Sequence, residues 1–313
     1  KDEQKDYLVS YKEADRKKGF DLSTGSQMRL IILDLENGQY QFIWSHHHIL
    51  TDGWCMSILI NDFYKLMFSV QYCSDPDLEP VIPYSNYIKW LSNIDKQSSL
   101  NYWKEYLNSY ESVLEIPFGL LKENDVYSYK EGKEYLYIEN TLWNSINRLC
   151  IQMNITQNTF IQGVWGYLLS QYNNINDVVF GSVVSGRPSD LEGVENIIGL
   201  FINTIPVRVQ YSEKDSAKKL LKMIQKNAIS SMPHHYITLS ELQSLSEPGA
   251  YLLNHVMTFE NYNIQESSII DSTESSNFSV MSRELFEQTN YDFALQITPT
   301  AHDLRISFTY NSI

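Results

Sequence analysis

The chain has 313 residues, 43% of them hydrophobic, which is enough for one large or two medium domains with buried cores. Its 38 acidic against 24 basic side chains leave a formal charge of −14, which argues against a general nucleic-acid binder or a protein that adheres to anionic membranes. No apolar run approaches the length of a membrane span, and the charged opening Lys1-Asp2-Glu3-Gln4-Lys5-Asp6 is not a signal peptide.

Residues 7–18 read as a helix stopped at Gly19, with Arg16, Lys17 and Lys18 at the end where cations offset the helix dipole. Strands are expected at about 27–35 and 39–45, joined at Glu36-Asn37-Gly38, because Asn-Gly between apolar runs favours a hairpin. The second strand leads into Ser45-His46-His47-His48-Ile49-Leu50-Thr51-Asp52-Gly53-Trp54. The spacing of Ile58, Ile60, Phe63, Tyr64, Met67 and Phe68 then predicts a helix with a wide buried face. Residues 74–83 form a loop, and helices follow at about 84–94 and 98–110, with Tyr87 and Trp90 as core aromatics. Mixed, polar residues 113–133 read as a connection between two lobes, 1–112 and 134–313. In the second lobe a strand at 134–139 precedes helices at 141–153 and 157–172 and a strand at 178–184 that ends at Gly186 and Pro188. Ile198 to Val209 runs from a short helix into a strand, helix 215–229 is amphipathic with Lys218, Lys219, Lys222 and Lys226 on its solvated face, and strands are expected at 253–259, 290–297 and 304–310. Ser267 to Asn277 reads as a loop. Strands and helices alternating in this way indicate an α/β (α+β) fold. Cys55, Cys73 and Cys150 show no paired spacing, which fits a reducing, cytoplasmic compartment.

The histidine run is the chemical centre of the sequence. In an extended segment side chains alternate, so His46 and His48 are expected on one face and His47 on the other. That argues against three ligands from this run on one metal, and no metal site is expected. Several polar groups in one short turn are costly to bury unless each has a partner. Asp52 is therefore read as an orienting or structural carboxylate, with Gly53 permitting a tight turn at a helix N-terminus whose N–H groups are free.

His47-His48-x-x-x-Asp52-Gly53 resembles the motif of the chloramphenicol-acetyltransferase-like superfamily, and within it the condensation domains of nonribosomal peptide synthetases. Further segments resemble that family in order: Tyr84-Ser85-Asn86-Tyr87-Ile88-Lys89-Trp90, Ser185-Gly186-Arg187-Pro188, Ile198-Gly199-Leu200-Phe201-Ile202-Asn203-Thr204, His235-Tyr236-Ile237-Thr238-Leu239-Ser240-Glu241, Phe259-Glu260-Asn261-Tyr262 and Thr289-Asn290-Tyr291-Asp292-Phe293. The resemblance covers nearly the whole chain. It implies two acetyltransferase-like lobes in a V with an active-site tunnel between them. It also implies amide bond formation between a donor peptidyl or aminoacyl thioester and the amine of an acceptor aminoacyl thioester. Both substrates would ride on phosphopantetheine arms of upstream and downstream peptidyl carrier proteins, beside an adenylation domain, with no cofactor bound directly. His48 matches the histidine at the reaction centre and His47 a structural one. Asp52 matches an aspartate that pairs with an arginine, matched here by Arg187. The Gly53 N–H faces the developing oxyanion, and Trp54, Asn203 and Glu260 are candidates to line the tunnel. Trp54 followed by Cys55 resembles the subgroup that joins two L-configured units.

The family's opening segments, including an early Arg-His-Glu-type motif, and its closing helix are not found, so a fragment is expected, with apolar surface uncovered around Ile31, Leu33, Phe42 and Trp44. A stand-alone coenzyme-A-dependent acyltransferase shares the short motif but is not expected to carry the Phe259–Asn261 and Ile198–Thr204 segments together. An epimerization domain differs after Asp52-Gly53. A non-catalytic recruiting domain usually loses the histidines, and here His47, His48 and Asp52 are all present.

Overall fold

The computed structural model describes residues 2–116, 130–260, 280–282, 284, 286, 287, 289, 291–300 and 303–312. Residues 117–129 of the expected connection, the expected loop at 267–277, and Asn261, Tyr262 and Asn290 lie outside the described residues. The chain divides into two compact units, Lys1–Asn86 with Glu192–Phe201, and Tyr87–Leu191 with Ile202–Ile313.

The first unit opens with helix α1 (Asp2–Lys18), followed by strands β1 (Met28–Asp34) and β2 (Tyr40–His46) and helix α2 (Gly53–Tyr72). The strands pair antiparallel, with Ile31 opposite Ile43 and Met28 opposite His46. Their turn is a three-residue loop in which Glu36, Asn37 and Gly38 have φ of 69°, 54° and 73°. Asn and Gly accept that left-handed backbone readily, and Glu does not. At Glu36 the backbone is held from outside, since its N–H donates to Asp34 Oδ1 at 2.9 Å. The exposed apolar face of the hairpin is Met28, Leu30, Ile32, Tyr40 and Phe42. Ile31 and Leu33 project to the opposite, half-buried face, so only Phe42 of the four expected residues is exposed. The pleat alternates, and α1 is tied to the face that carries Arg29 and Ser45.

The second unit is built on a six-stranded sheet of β3 (Glu131–Ile138), β4 (Asp177–Val184), β5 (Asn203–Gln210), β6 (Val256–Phe259), β7 (Phe293–Pro299) and β8 (Leu304–Asn311), in the order β3-β8-β7-β6-β4-β5. β6 lies parallel to both β4 and β7, and the remaining pairs are antiparallel. Helices α3 (Ser85–Asn93, starting at the unit boundary), α4 (Lys96–Tyr106), α5 (Asn140–Met153), α6 (Gln157–Asn173), α7 (Ala217–Ser231) and α8 (Leu239–Ser244) complete the elements. The main core packs Trp143, Leu169, Phe180, Ile224 and Ile297 from α5, α6, β4, α7 and β7.

Residues 87–112 were expected in the first lobe but belong to this unit. Trp103 of α4 is fully buried with Ile205, Ile237 and Leu242, while Leu107 and Tyr110 pack on Val179 of β4. Aromatic burial of this size decides which body a helix joins. The helix expected near Ile198 is a 3₁₀ turn at Val194–Asn196, and the residues between it and β5 have no regular structure. α8 was not anticipated, although Thr238 and Glu241 form a full capping box, a signal readable from Thr-x-x-Glu.

His255, at the entrance to β6, is fully buried and uncharged. Trp165 Nε1 donates to its Nε2 at 3.0 Å, so Nδ1 carries the hydrogen and donates to Asn254 Oδ1 at 2.7 Å. Burial holds its pKa down at about 4, and burial with the neighbouring charge of His234 puts His235 at about 4 as well. The unfolded chain takes up these protons below about pH 6.5 and the folded unit does not until about pH 4. Stability is therefore complete above the unfolded pKa and is lost as pH falls through this window, by up to about 3 kcal/mol for His255. Urea unfolding followed at about pH 7.5 and about pH 4.5 should show the loss, and His255→Gln should flatten it. Equal pH dependence in parent and variant would contradict this account of His255.

Candidate active site

The histidine turn starts where β2 stops. β2 ends at His46, whose ring lies 5.1 Å from Trp44. His47 carries the pairing one step past the strand, since its N–H donates to Gln27 O at 2.9 Å in the same register, and its carbonyl accepts the Leu50 N–H at 3.1 Å to open the turn. His48 and Ile49 then form the turn, so the extended geometry on which the expected alternation rests stops before His48. His47 Nδ1 accepts the Ile49 N–H at 3.1 Å. That assigns the neutral ring its hydrogen at Nε2. His48 is half-buried in the same turn.

Asp52 closes the turn. It is 2% exposed and stands at the N-cap of α2, with φ −109° and ψ 177°. Its Oδ1 accepts the Cys55 N–H and the Cys55 thiol, both at 3.2 Å. Its Oδ2 accepts the Phe201 N–H at 3.0 Å. One carboxylate thus caps a 20-residue helix and anchors a segment about 150 residues later in the chain. A carboxylate at a helix N-terminus is also favoured by the helix dipole. Gly53 is the first residue of α2 and is exposed, so its N–H belongs to the set that the helix itself leaves without partners.

The 194–201 segment is clasped from several sides. Trp54 Nε1 donates to Glu195 O at 2.9 Å. The fully buried Cys55 thiol lies 3.2 Å from both Asp52 Oδ1 and Gly199 O, which share its one hydrogen, and the Gly199 N–H donates to its sulfur at 3.3 Å. Burial pushes this thiol's pKa up, which keeps it the protonated donor the site requires. Tyr84 OH donates to Leu200 O at 2.5 Å, and its ring meets Phe201 edge-on. A Cβ on Gly199 would lie 2.0 Å from the Tyr84 ring, so only glycine fits there. Tyr84, Gly199 and Phe201 were not singled out as site residues from the sequence, and Cys55 was read only as a mark of subgroup. Their signal was present in the motif-bearing segments, but which atoms meet is a tertiary fact.

The structure brings His47, His48, Asp52, Gly53 and Trp54 together in the first unit. Arg187, Asn203 and Glu260 belong to the second. Arg187 is half-buried just after β4, following Gly186 with φ 61°. Asn203 begins β5, where Nδ2 donates to His235 O at 2.7 Å and Ile237 O at 2.6 Å while Oδ1 accepts the Thr204 N–H. Its amide is thus already used to hold the 235–237 loop. Glu260 follows β6, with Oε1 accepting from Gln296 at 2.6 Å and Oε2 from Thr298 at 3.3 Å. Among the described residues no three His, Cys, Asp or Glu side chains gather as metal ligands, and no helix is long and apolar enough to cross a membrane.

A family model for the condensation domain matches residues 1–313. The chain belongs to the condensation-domain family. Condensation domains of nonribosomal peptide synthetases form amide bonds by acyl transfer. The chain is 37% identical over 306 residues to bacitracin synthase 1 of Bacillus licheniformis, covering 97% of this chain and 6% of that protein. It is 37% identical over 309 residues to gramicidin S synthase 2 of Brevibacillus brevis, covering 97% of this chain and 7% of that protein. This condensation domain therefore spans only a small part of these curated relatives. In fold it is similar to the X-domain from teicoplanin biosynthesis, with a TM-score of 0.76 at 15% identity, covering 95% of this chain and 70% of that one. The mixed α/β architecture of this condensation domain is of the chloramphenicol-acetyltransferase-like kind.

Replacing Asp52 by Ala removes the helix cap and strands the buried Phe201 N–H. A lost cap costs about 1 kcal/mol and an unsatisfied buried donor about 1–3 kcal/mol. Asp52→Ala is expected to lower stability by about 2–4 kcal/mol in denaturant titration, and Cys55→Ser by much less, since the hydroxyl can make the same contacts. A stability of Asp52→Ala equal to that of the parent would contradict the anchoring role.

Proposed function

We propose that this condensation domain joins a donor peptidyl or aminoacyl thioester to the amine of an acceptor aminoacyl thioester, both borne on phosphopantetheine arms of peptidyl carrier proteins. An adenylation domain of the same synthetase would load the acceptor, and the setting would be cytoplasmic. The observation that carries the reading is the histidine turn itself: His48 sits in a turn whose two ends are fixed, by the His47 backbone at one side and the Asp52 carboxylate at the other.

In this reading the acceptor nitrogen attacks the thioester carbon, a tetrahedral adduct forms, and the C–S bond breaks. An α-amine has a pKa of about 7.7–8.0, so part of it is already neutral near pH 7. Placement of the amine by His48 then matters as much as proton abstraction. The proton that the adduct nitrogen must shed passes to His48 and from there to the departing thiolate. The Gly53 N–H, at the positive end of α2, would face the developing oxyanion. His47 acts at one remove, since its Nδ1 is occupied by the Ile49 N–H.

His48→Ala should lower the rate of amide formation between loaded carriers by about 10²–10⁴-fold while the domain stays folded. Formation of dipeptidyl carrier at the parent rate would contradict the role of His48. Acyl transfer from a coenzyme A thioester to a small free amine, with no transfer between carriers, would instead identify a stand-alone acyltransferase.

A further inference from the structure

A second buried carboxylate lies on the far side of the histidine turn. Asp15, near the end of α1, is 9% exposed. Its Oδ1 accepts from Arg29 Nε at 2.7 Å, and its Oδ2 accepts the Ser45 hydroxyl at 2.6 Å. Ser45 directly precedes the histidines on β2. The other guanidinium nitrogens of Arg29 donate to Asp15 O at 3.1 Å and Gly19 O at 2.7 Å, closing the C-terminal end of α1. Arg29 Cζ lies 4.0 Å from the centroid of the Phe20 ring, and Phe20 meets His47 edge-on at 6.2 Å. The intervening loop is tied by Gln27, whose Nε2 donates to Asp21 O at 2.7 Å and Thr24 O at 2.8 Å. The carbonyl of Gln27 in turn accepts the His47 N–H.

Solvated ion pairs contribute little. Here the side chains of Arg29 and Asp15 are 21% and 8% exposed, and both carboxylate oxygens are used inside the protein. Burial alone would raise the Asp15 pKa, but the hydrogen bonds from Arg29 and Ser45 and the charges of Arg29 and Lys18 outweigh it and hold the group ionised. A guanidinium that stacks on Phe20 and donates from each of its three nitrogens to a different acceptor fixes orientation as well as distance.

We propose that Asp15 and Arg29 are positioning residues for the condensation reaction: they fix Ser45, Phe20 and the Gly19 end of the loop that Gln27 ties, and through these the ring and peptide of His47 on which the placement of His48 depends. The proposal rests on the reading of His48 as the group at the reaction centre.

The full-length gene product, with carriers loaded on both sides, provides the test. Asp15→Asn keeps the shape and removes the charge, and Arg29→Lys keeps the charge and removes the planar contacts. Ring-nitrogen NMR of His47 should show a single neutral form protonated at Nε2 in the parent and averaged tautomers in both variants. Both variants should lower kcat by about ten- to a hundredfold, leave KM for the acceptor carrier within about twofold, and add little when combined. Asp15→Glu, which keeps the charge, should recover part of the rate. The proposal requires the spectral and the kcat changes together in a folded protein. Either one without the other overturns it, and so does a loss that falls on KM. If Asp15→Asn fails to fold, Arg29→Lys decides. If the parent itself forms no amide bond, the proposed reaction fails, and the His47 spectrum alone decides the positioning.

Discussion

The first unit depends on the buried carboxylate of Asp52. A hairpin of two strands is marginal by itself, and the segment 197–201 has no regular structure to hold it. The segment becomes fixed to the turn that follows the hairpin because one carboxylate accepts hydrogen bonds from the α2 N-terminus and from Phe201 N–H. Burying a carboxylate is tolerated only when its oxygens are satisfied, and here the Cys55 thiol and two backbone amides do so. The turn that carries His47 and His48 is bounded on one side by this anchor. On the other side lies the hydrogen bond from His47 to Gln27. Chemistry that requires an imidazole at a set place needs both boundaries.

The second unit reaches rigidity differently. Its core is apolar and aromatic, with a neutral imidazole, His255, inserted where β6 enters between two parallel neighbours. Every nitrogen of that ring has a partner, so the cost of burying it is met without charge. The same economy appears at Arg208, which is bidentate to Asp177 at 2.9 and 2.6 Å and also donates to Tyr106 O and Asn108 O. These contacts tie α4 and the residues after it to β4 and β5. They explain why a stretch that reads as part of the first lobe joins the second body.

Most elements were legible in the sequence because they carry local signals. The strand alternation around Ile31 and Ile43, the apolar spacing of α2 and the Asn-Gly turn all act within a few residues. The histidine turn was legible as a motif, and its residues do lie together in one unit. Three features were not legible, each for a tertiary reason. The strand pairing reaches His47 through Gln27, a residue about 20 positions earlier, and the chain turns at His48 and Ile49, so where the extended form stops is not marked in the histidine run itself. The hairpin exposes Met28, Leu30 and Ile32 rather than Ile31 and Leu33, since periodicity gives two faces but not which one α1 covers. The partners of Asn203 and Glu260, both read as candidates to line a tunnel, are the 235–237 loop and β7, which no local pattern announces. Local sequence carries no record of such long-range partners.

The central claim is that Asp52 is the joint between the histidine turn and the 197–201 segment, and amide hydrogen exchange at Phe201 tests it directly. In the parent this amide should be protected, and in Asp52→Ala it should exchange faster while amides inside β5, such as Val207, keep their parent rates. Protection of the Phe201 amide that survives removal of the carboxylate would contradict the account.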